Sequence, residues 1–185
     1  MTGAHRAETT GCHEQPSAEA ALIVPTADAM RALGARLALL LQRGDLIVLT
    51  GDLGAGKTTL TQGLGTGLGV REMISSPTFV IARVHASLIG GPDLVHVDAY
   101  RLGSLAEIDD LDLDASLDQS VTVVEWGQGL VEDLAADRLD IVIRRPHGGD
   151  AAADLPEYDG DEERSVEITG YGPRWDAVPL PSSAL

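Results

Sequence analysis

Lys57 is the only lysine of the chain; the other twelve of its 13 basic residues are arginine. It closes the run Gly51-Asp52-Leu53-Gly54-Ala55-Gly56-Lys57-Thr58-Thr59, whose spacing fits G-x-x-x-x-G-K-[ST]. Glycines at this spacing let a backbone wrap closely round a phosphate, so that successive N–H groups and the N-terminus of a following helix meet the anion. A compact ammonium on a flexible stem suits a point contact to β- and γ-phosphates better than a planar guanidinium does. The Thr58 hydroxyl can take one place on an octahedral Mg²⁺. The chemistry these residues suit is binding and transfer of a nucleotide phosphoryl group, with Lys57 in the catalytic set.

Phosphoryl transfer depends on charge compensation and positioning, so a second metal anchor and a group that orients the attacking water are also needed. Asp98 ends the apolar run Leu94-Val95-His96-Val97, and Glu125 ends Val121-Thr122-Val123-Val124. Each has the form of a buried strand delivering an acid at its carboxyl end, where open α/β sheets bind ligands. Either alone reads equally well as a surface carboxylate; beside a P-loop, one of the two is expected on the metal. Thr78, after Pro77, is a candidate for sensing the γ-phosphate from a switch-like loop, and a turn residue otherwise. His96 reads as a packed or hydrogen-bonded histidine, and Trp126 as either a stacking platform or core. Tyr100 and Arg101 are placed near the phosphates only by following Asp98.

The elements that must hold these groups read as alternating helices and strands. A helix begins at Thr26, with Met30, Leu33, Leu37, Leu40 and Leu41 at helical spacing. Leu46 to Thr50 is the P-loop strand, and the next helix runs from Lys57 to about Leu68, where Gly69 stops it. Strands follow at 79–84 and 94–98, as a hairpin round Gly90-Gly91-Pro92-Asp93 or as adjacent strands. Ser104-Leu105-Ala106-Glu107 has capping-box spacing for a short helix. Further strands are expected at 120–125, 139–144 and 165–169, with a helix over about 128–135. Residues 1–21 read as a disordered tail, 22–172 as the P-loop domain, 146–163 as a flexible acidic loop within it, and 173–185 as a C-terminal tail.

At 185 residues with 44% hydrophobic content the chain is expected to form one domain with an aliphatic core, since aromatics make up only 3%. A net charge of −16 opposes unaided binding to nucleic acid. No apolar run has the length of a membrane span, the polar start lacks a signal-peptide core, and the single cysteine, Cys12, has no internal disulfide partner. A cytoplasmic protein without a membrane partner is expected.

The runs Gly51 to Thr59, Ser76-Pro77-Thr78-Phe79, His96-x-Asp98-x-Tyr100-Arg101-Leu102 and Glu125-Trp126 occur in the order and approximate spacing of the TsaE (YjeE) family, which the chain resembles over residues 22 to 145. These are small bacterial P-loop ATPases required for threonylcarbamoyladenosine in tRNA. The resemblance implies an α/β fold, a P-loop NTPase-like three-layer sandwich with a mostly parallel central sheet and an antiparallel C-terminal portion. It implies ATP and Mg²⁺ as cofactors, with Gly51 to Thr59 on the phosphates, Thr58 and Glu125 on the metal, Asp98 as the catalytic acid, Thr78 as the nucleotide-sensing threonine and Trp126 beside the site. Partners resembling TsaB and TsaD are implied, with tRNA reached only through them. Gly127 stands where the family often has proline.

A GTPase would carry an Asn/Thr-Lys-x-Asp motif, and this chain has no asparagine and no second lysine. A small-molecule kinase is the alternative, since a P-loop and strand-end acids also suit transfer to a bound acceptor; an arginine-rich lid segment is lacking. A nucleotide-dependent interaction module, whose hydrolysis acts only as a timer, overlaps with the ATPase reading.

Overall fold

The structure, a computed structural model, describes residues 15–71, 74–76, 81–102, 117–146 and 162–183. One seven-stranded sheet runs through it in the order β1-β7-β6-β2-β5-β4-β3. The centre is parallel: β2 (Leu46–Thr50) lies between β5 (Ser120–Glu125) and β6 (Arg138–Arg144), and β4 (Asp93–Asp98) flanks β5. One edge turns antiparallel through β3 (Ala82–His85), the other through β7 (Arg164–Tyr171) and β1 (Pro16–Val24).

Strand alternation divides the core in two. Ile47, Leu49, Val121, Val123, Leu139, Ile141 and Ile143 face α1 (Ala27–Ala38) and α2 (Lys57–Leu68), while Leu46, Val48, Val95, Val97 and Val124 form a smaller cluster on the opposite face with Val131. α1 starts where the Thr26 hydroxyl accepts from the Ala29 N–H at 3.1 Å, and buries Met30, Leu33 and Leu37. The two helices touch backbone to backbone. A Cβ on Gly34 would lie 2.3 Å from the Leu60 carbonyl oxygen, and one on Gly63 would lie 2.1 Å from that of Arg31. Among the described residues, no helix is long and apolar enough to cross a membrane.

The α/β architecture with a parallel centre and an antiparallel C-terminal portion is as expected, and α2 ends at Gly69 in the left-handed region. The hairpin reading also holds: β3 and β4 pair antiparallel, and β4 then joins the main sheet beside β5.

Several local expectations are corrected. Residues 16–21, expected in a disordered tail, belong to β1. Ala18, Ala20, Leu22 and Val24 alternate towards the core, Leu22 opposes Val166, and Pro16 is tolerated at the start of an edge strand. α1 ends at Ala38, leaving Leu40 and Leu41 to pack from the following turn. The helix expected over 128–135 is only a 3-10 turn at Glu132–Leu134. Gly129 has φ 79°, incompatible with an α-helix, and the Glu132 carboxylate takes the Gly129 and Val131 N–H groups. The segment expected as a C-terminal tail is anchored by fully buried Trp175 in the 3-10 turn Pro173–Trp175. The expected short helix at 104–107, the beginning of the strand at 79–84, and most of the acidic loop lie outside the described residues.

Candidate functional site

The loop between β2 and α2 is shaped by what only glycine allows. At Gly51 a Cβ would stand 2.4 Å from the Ile143 carbonyl oxygen, so a side chain there would push the loop off β6. Gly56, with φ 111°, delivers the chain into α2. Ala55 is fully buried and its N–H donates to the Asp52 carbonyl at 3.1 Å, which pins the loop and leaves Leu53 exposed at its tip.

Lys57 is almost wholly buried at the start of α2. Its ammonium donates to the carbonyls of Gly51 at 2.7 Å and Asp52 at 3.0 Å, and lies 3.9 Å from the centroid of the Trp126 ring. Burial pushes the amine below its ordinary range; the nearby charges of Glu125, Asp98 and Asp52 act in the opposite sense without cancelling it. A buried cation resting on loop carbonyls beside a helix N-terminus is a prepared anion site.

Opposite Lys57, the sheet brings both acids together. Asp98 and Glu125 are register partners at the carboxyl ends of β4 and β5. Thr58 donates its hydroxyl hydrogen to Glu125 Oε1 at 3.0 Å, and His96 Nε2 lies 2.9 Å from the same oxygen. Asp98 Oδ1 accepts from the Tyr100 N–H at 3.0 Å, starting the 3-10 turn Ala99–Arg101.

Trp126, just past Glu125, has φ 62°, unusual for a bulky residue, and its N–H donates to the Leu49 carbonyl at 3.0 Å. The backbone is thereby tied to the P-loop strand while the ring faces Lys57 and Tyr100, 5.2 Å away between centroids.

These groups line a cleft of about 540 Å³ bounded by Leu53, Gly54, Gly56, Lys57, Thr58, Thr59, Ser76, Asp98, Tyr100, Glu125 and Trp126, a size suited to a small-molecule ligand. Its polar donors and acceptors fit a hard cation held with phosphate. Thr58 spends its hydrogen on Glu125 and keeps its lone pairs, and Mg²⁺ takes few protein ligands beyond phosphate and water. Among the described residues there is no cluster of three or more His, Cys, Asp or Glu able to hold a metal by itself.

The structure thus brings together Lys57, Thr58, Asp98, Glu125 and Trp126, with Leu53, Gly54, Gly56 and Thr59 on the same walls and Gly51, Asp52 and Ala55 as the loop's backbone. Thr78 lies outside the described residues, and Arg101 is placed only by its backbone. Ser76 lines the cleft without having been given a role; its signal was its place at the head of the run Ser76-Pro77-Thr78-Phe79. His96 reaches the site from the strand interior, which its position between two valines did not reveal.

Comparison with known proteins identifies the family. The model of the family described as threonylcarbamoyl adenosine biosynthesis protein TsaE matches residues 24–151. The chain is 62% identical over 147 residues to the tRNA threonylcarbamoyladenosine biosynthesis protein TsaE of Streptomyces coelicolor, covering 79% of this chain and 93% of that one. It is 39% identical over 136 residues to the protein of the same name from Bacillus subtilis, covering 73% and 75%. Its fold is similar to the crystal structure of YdiB of Bacillus subtilis, with a TM-score of 0.62 and 30% identity over 86% of this chain and 90% of that one. With the glycine loop, both strand-end acids and the seven-stranded sheet inside or beside the matched span, the chain belongs to the TsaE family.

Proposed function

We propose that this protein is a Mg²⁺-dependent ATPase that acts in the cytoplasm with TsaB-like and TsaD-like partners in the threonylcarbamoyl modification of the tRNA adenosine next to the anticodon. The observation that carries the reading is the 3.0 Å bond between Thr58 and Glu125 in the same cleft as a buried Lys57 on a glycine loop. Mg²⁺, when bound, supplies charge compensation for the phosphates. The loop N–H groups and Lys57 bind the β- and γ-phosphates, Thr58 and Glu125 hold the metal, Asp98 orients the attacking water, and Trp126 closes the cleft over Lys57.

Leu53 and Tyr100 make the rim of the cleft apolar and largely exposed, at 87% and 69%. Such a rim suits coverage by a protein better than a grip on a second phosphorylated substrate, and it favours the ATPase over a small-molecule kinase. The net charge of −16 likewise leaves tRNA to the partners. In this reading Thr78 reports the γ-phosphate and Pro77 passes its position stiffly to the next strand.

The test is to incubate the pure protein with ATP, Mg²⁺ and small-molecule acceptors, with and without purified TsaB and TsaD, and to follow the phosphate. Release to water, slow alone and faster with partners, is expected. Phosphate on an acceptor would replace the reading with the kinase. An ATPase indifferent to both partners would remove the coupling, and stimulation unchanged by Thr78→Ala would remove only the proposed sensor.

A further inference from the structure

We propose that His96 is a positioning residue for the metal-binding acid, its imidazole fixing Glu125 Oε1 so that the carboxylate meets Mg²⁺ and nucleotide in one prepared orientation. This rests on the reading of the cleft as a Mg²⁺-nucleotide site.

β4 places His96 in register with Val123 of β5, two residues before Glu125 and on the same sheet face. The imidazole is fully buried, and Nε2 lies 2.9 Å from Glu125 Oε1. An ionised carboxylate only accepts, so Nε2 carries the proton and donates. Nδ1 has no hydrogen-bond partner among the described residues, and Glu125 is therefore the one polar engagement of the ring there. An apolar side chain would fill the same space without leaving a buried ring nitrogen unpaired. The imidazole's distinctive contribution is its bond to Glu125.

The same oxygen accepts from Thr58 at 3.0 Å. Oε1 is thus held from the sheet by His96 and from α2 by Thr58, and the carboxylate cannot turn without breaking one of the bonds. The Thr58 bond must adjust when the hydroxyl takes up a metal. His96 lies behind the carboxylate, outside the residues lining the cleft, and can keep its bond throughout. Partners of this kind, acting behind a ligand, typically change metal affinity by about 10–100-fold when removed.

The experiment is calorimetric titration of a non-hydrolysable ATP analogue with and without Mg²⁺, reading the ratio of the two affinities. It compares the parent chain with His96→Leu, His96→Asn and His96→Gln. Gln carries an amide nitrogen to about the reach of Nε2, whereas the Asn amide falls short. The ratio is expected to fall about tenfold or more in His96→Leu and His96→Asn and to return towards the parent's in His96→Gln, with metal-free binding little changed in all. In a Glu125→Gln background, His96→Asn should no longer alter the ratio. If His96→Leu does not fold, the Asn and Gln pair decides. A merely structural histidine would lower the melting temperature and leave the ratio unchanged in His96→Asn, which overturns the proposal. A parent chain without any Mg²⁺ enhancement overturns the reading of the cleft and the proposal with it.

Discussion

Asp98 and Glu125 face each other in register across β4 and β5, yet only Glu125 is hydrogen-bonded to the P-loop helix. Asp98 is committed to the Tyr100 N–H. Neighbouring acids so differently engaged should fail differently. Glu125→Gln is expected to abolish most of the Mg²⁺ enhancement of nucleotide binding, because a ligand to the cation acts on the bound ground state. Asp98→Asn should spare binding and lower turnover, as a water-orienting group acts in the transition state. Analogue titrations beside steady-state ATPase assays separate the two, and the reverse pattern would exchange their roles.

Lys57→Ala should reduce ATPase turnover by at least about a hundredfold, the effect of losing an electrostatic contact worth about 3 kcal/mol in a water-poor site. Turnover within about twofold of the parent would exclude Lys57 from catalysis.

The same lysine has a signature without nucleotide. Its amine titrates below the ordinary 10.5 because burial outweighs the surrounding acids. Between that lowered value and 10.5 the unfolded chain binds the proton more readily than the folded one, so this group's contribution to stability rises with pH through the window. Urea titrations of the parent and Lys57→Met from neutral pH to about 10.5 should show the parent gaining relative to the variant. A difference constant with pH would mean that the amine is not desolvated.

Arg174 gives a test with the opposite slope. Its guanidinium donates to the Leu40 carbonyl and to Asp45, and lies 4.5 Å from the Trp175 ring. Burial raises the Asp45 carboxyl above 3.8 despite the Gln42 N–H and Arg174, so its ionisation costs stability as pH rises through that raised value. Arg174→Met leaves the carboxylate with less compensation and should destabilise the fold by about 1–3 kcal/mol at pH 7. Part of that loss should vanish at acid pH, as the pH falls through that raised value and the folded state takes up the proton. Thermal or urea unfolding at pH 7 and at acid pH measures it; an equal loss at both would place the whole effect in packing and the Leu40 bond.

Trp126 and Trp175 are the chain's two tryptophans, one on the cleft and one fully buried under the C-terminal turn. In the proposed reading Lys57 would leave the Trp126 ring for phosphate when ATP and Mg²⁺ bind, so the fluorescence change on binding should come from Trp126. It is expected to disappear in Trp126→Phe and persist in Trp175→Phe. A response that survives Trp126→Phe would remove the ring from the site.

What was legible in the chain was local. The P-loop is contiguous, so Gly51 to Thr59 could be read as one unit, and Asp98 and Glu125 each end an apolar run. The His96–Glu125 contact depends on the parallel register of strands distant in sequence, which neither run encodes alone. β1 escaped because alanines carry half of its alternation, and a small side chain on an edge strand leaves little hydrophobic signal. The expected 128–135 helix shows the converse: Leu130, Val131 and Leu134 imitate helical spacing, but Gly129 adopts a conformation that no α-helix contains. Trp175 was hidden by the brevity of its segment, where one large side chain supplies the anchoring that a longer element would share out.

The contact between Gly34 and Gly63 has a consequence for how sequence variants will look from outside. A single methyl group at either position must part α1 from α2, and α2 begins with Lys57 and Thr58. Such a change would shift the start of α2 and the loop before it without altering the identity of any residue of the cleft. In a survey of mutations scored by function alone, two glycines with no chemistry of their own would be indistinguishable from Lys57.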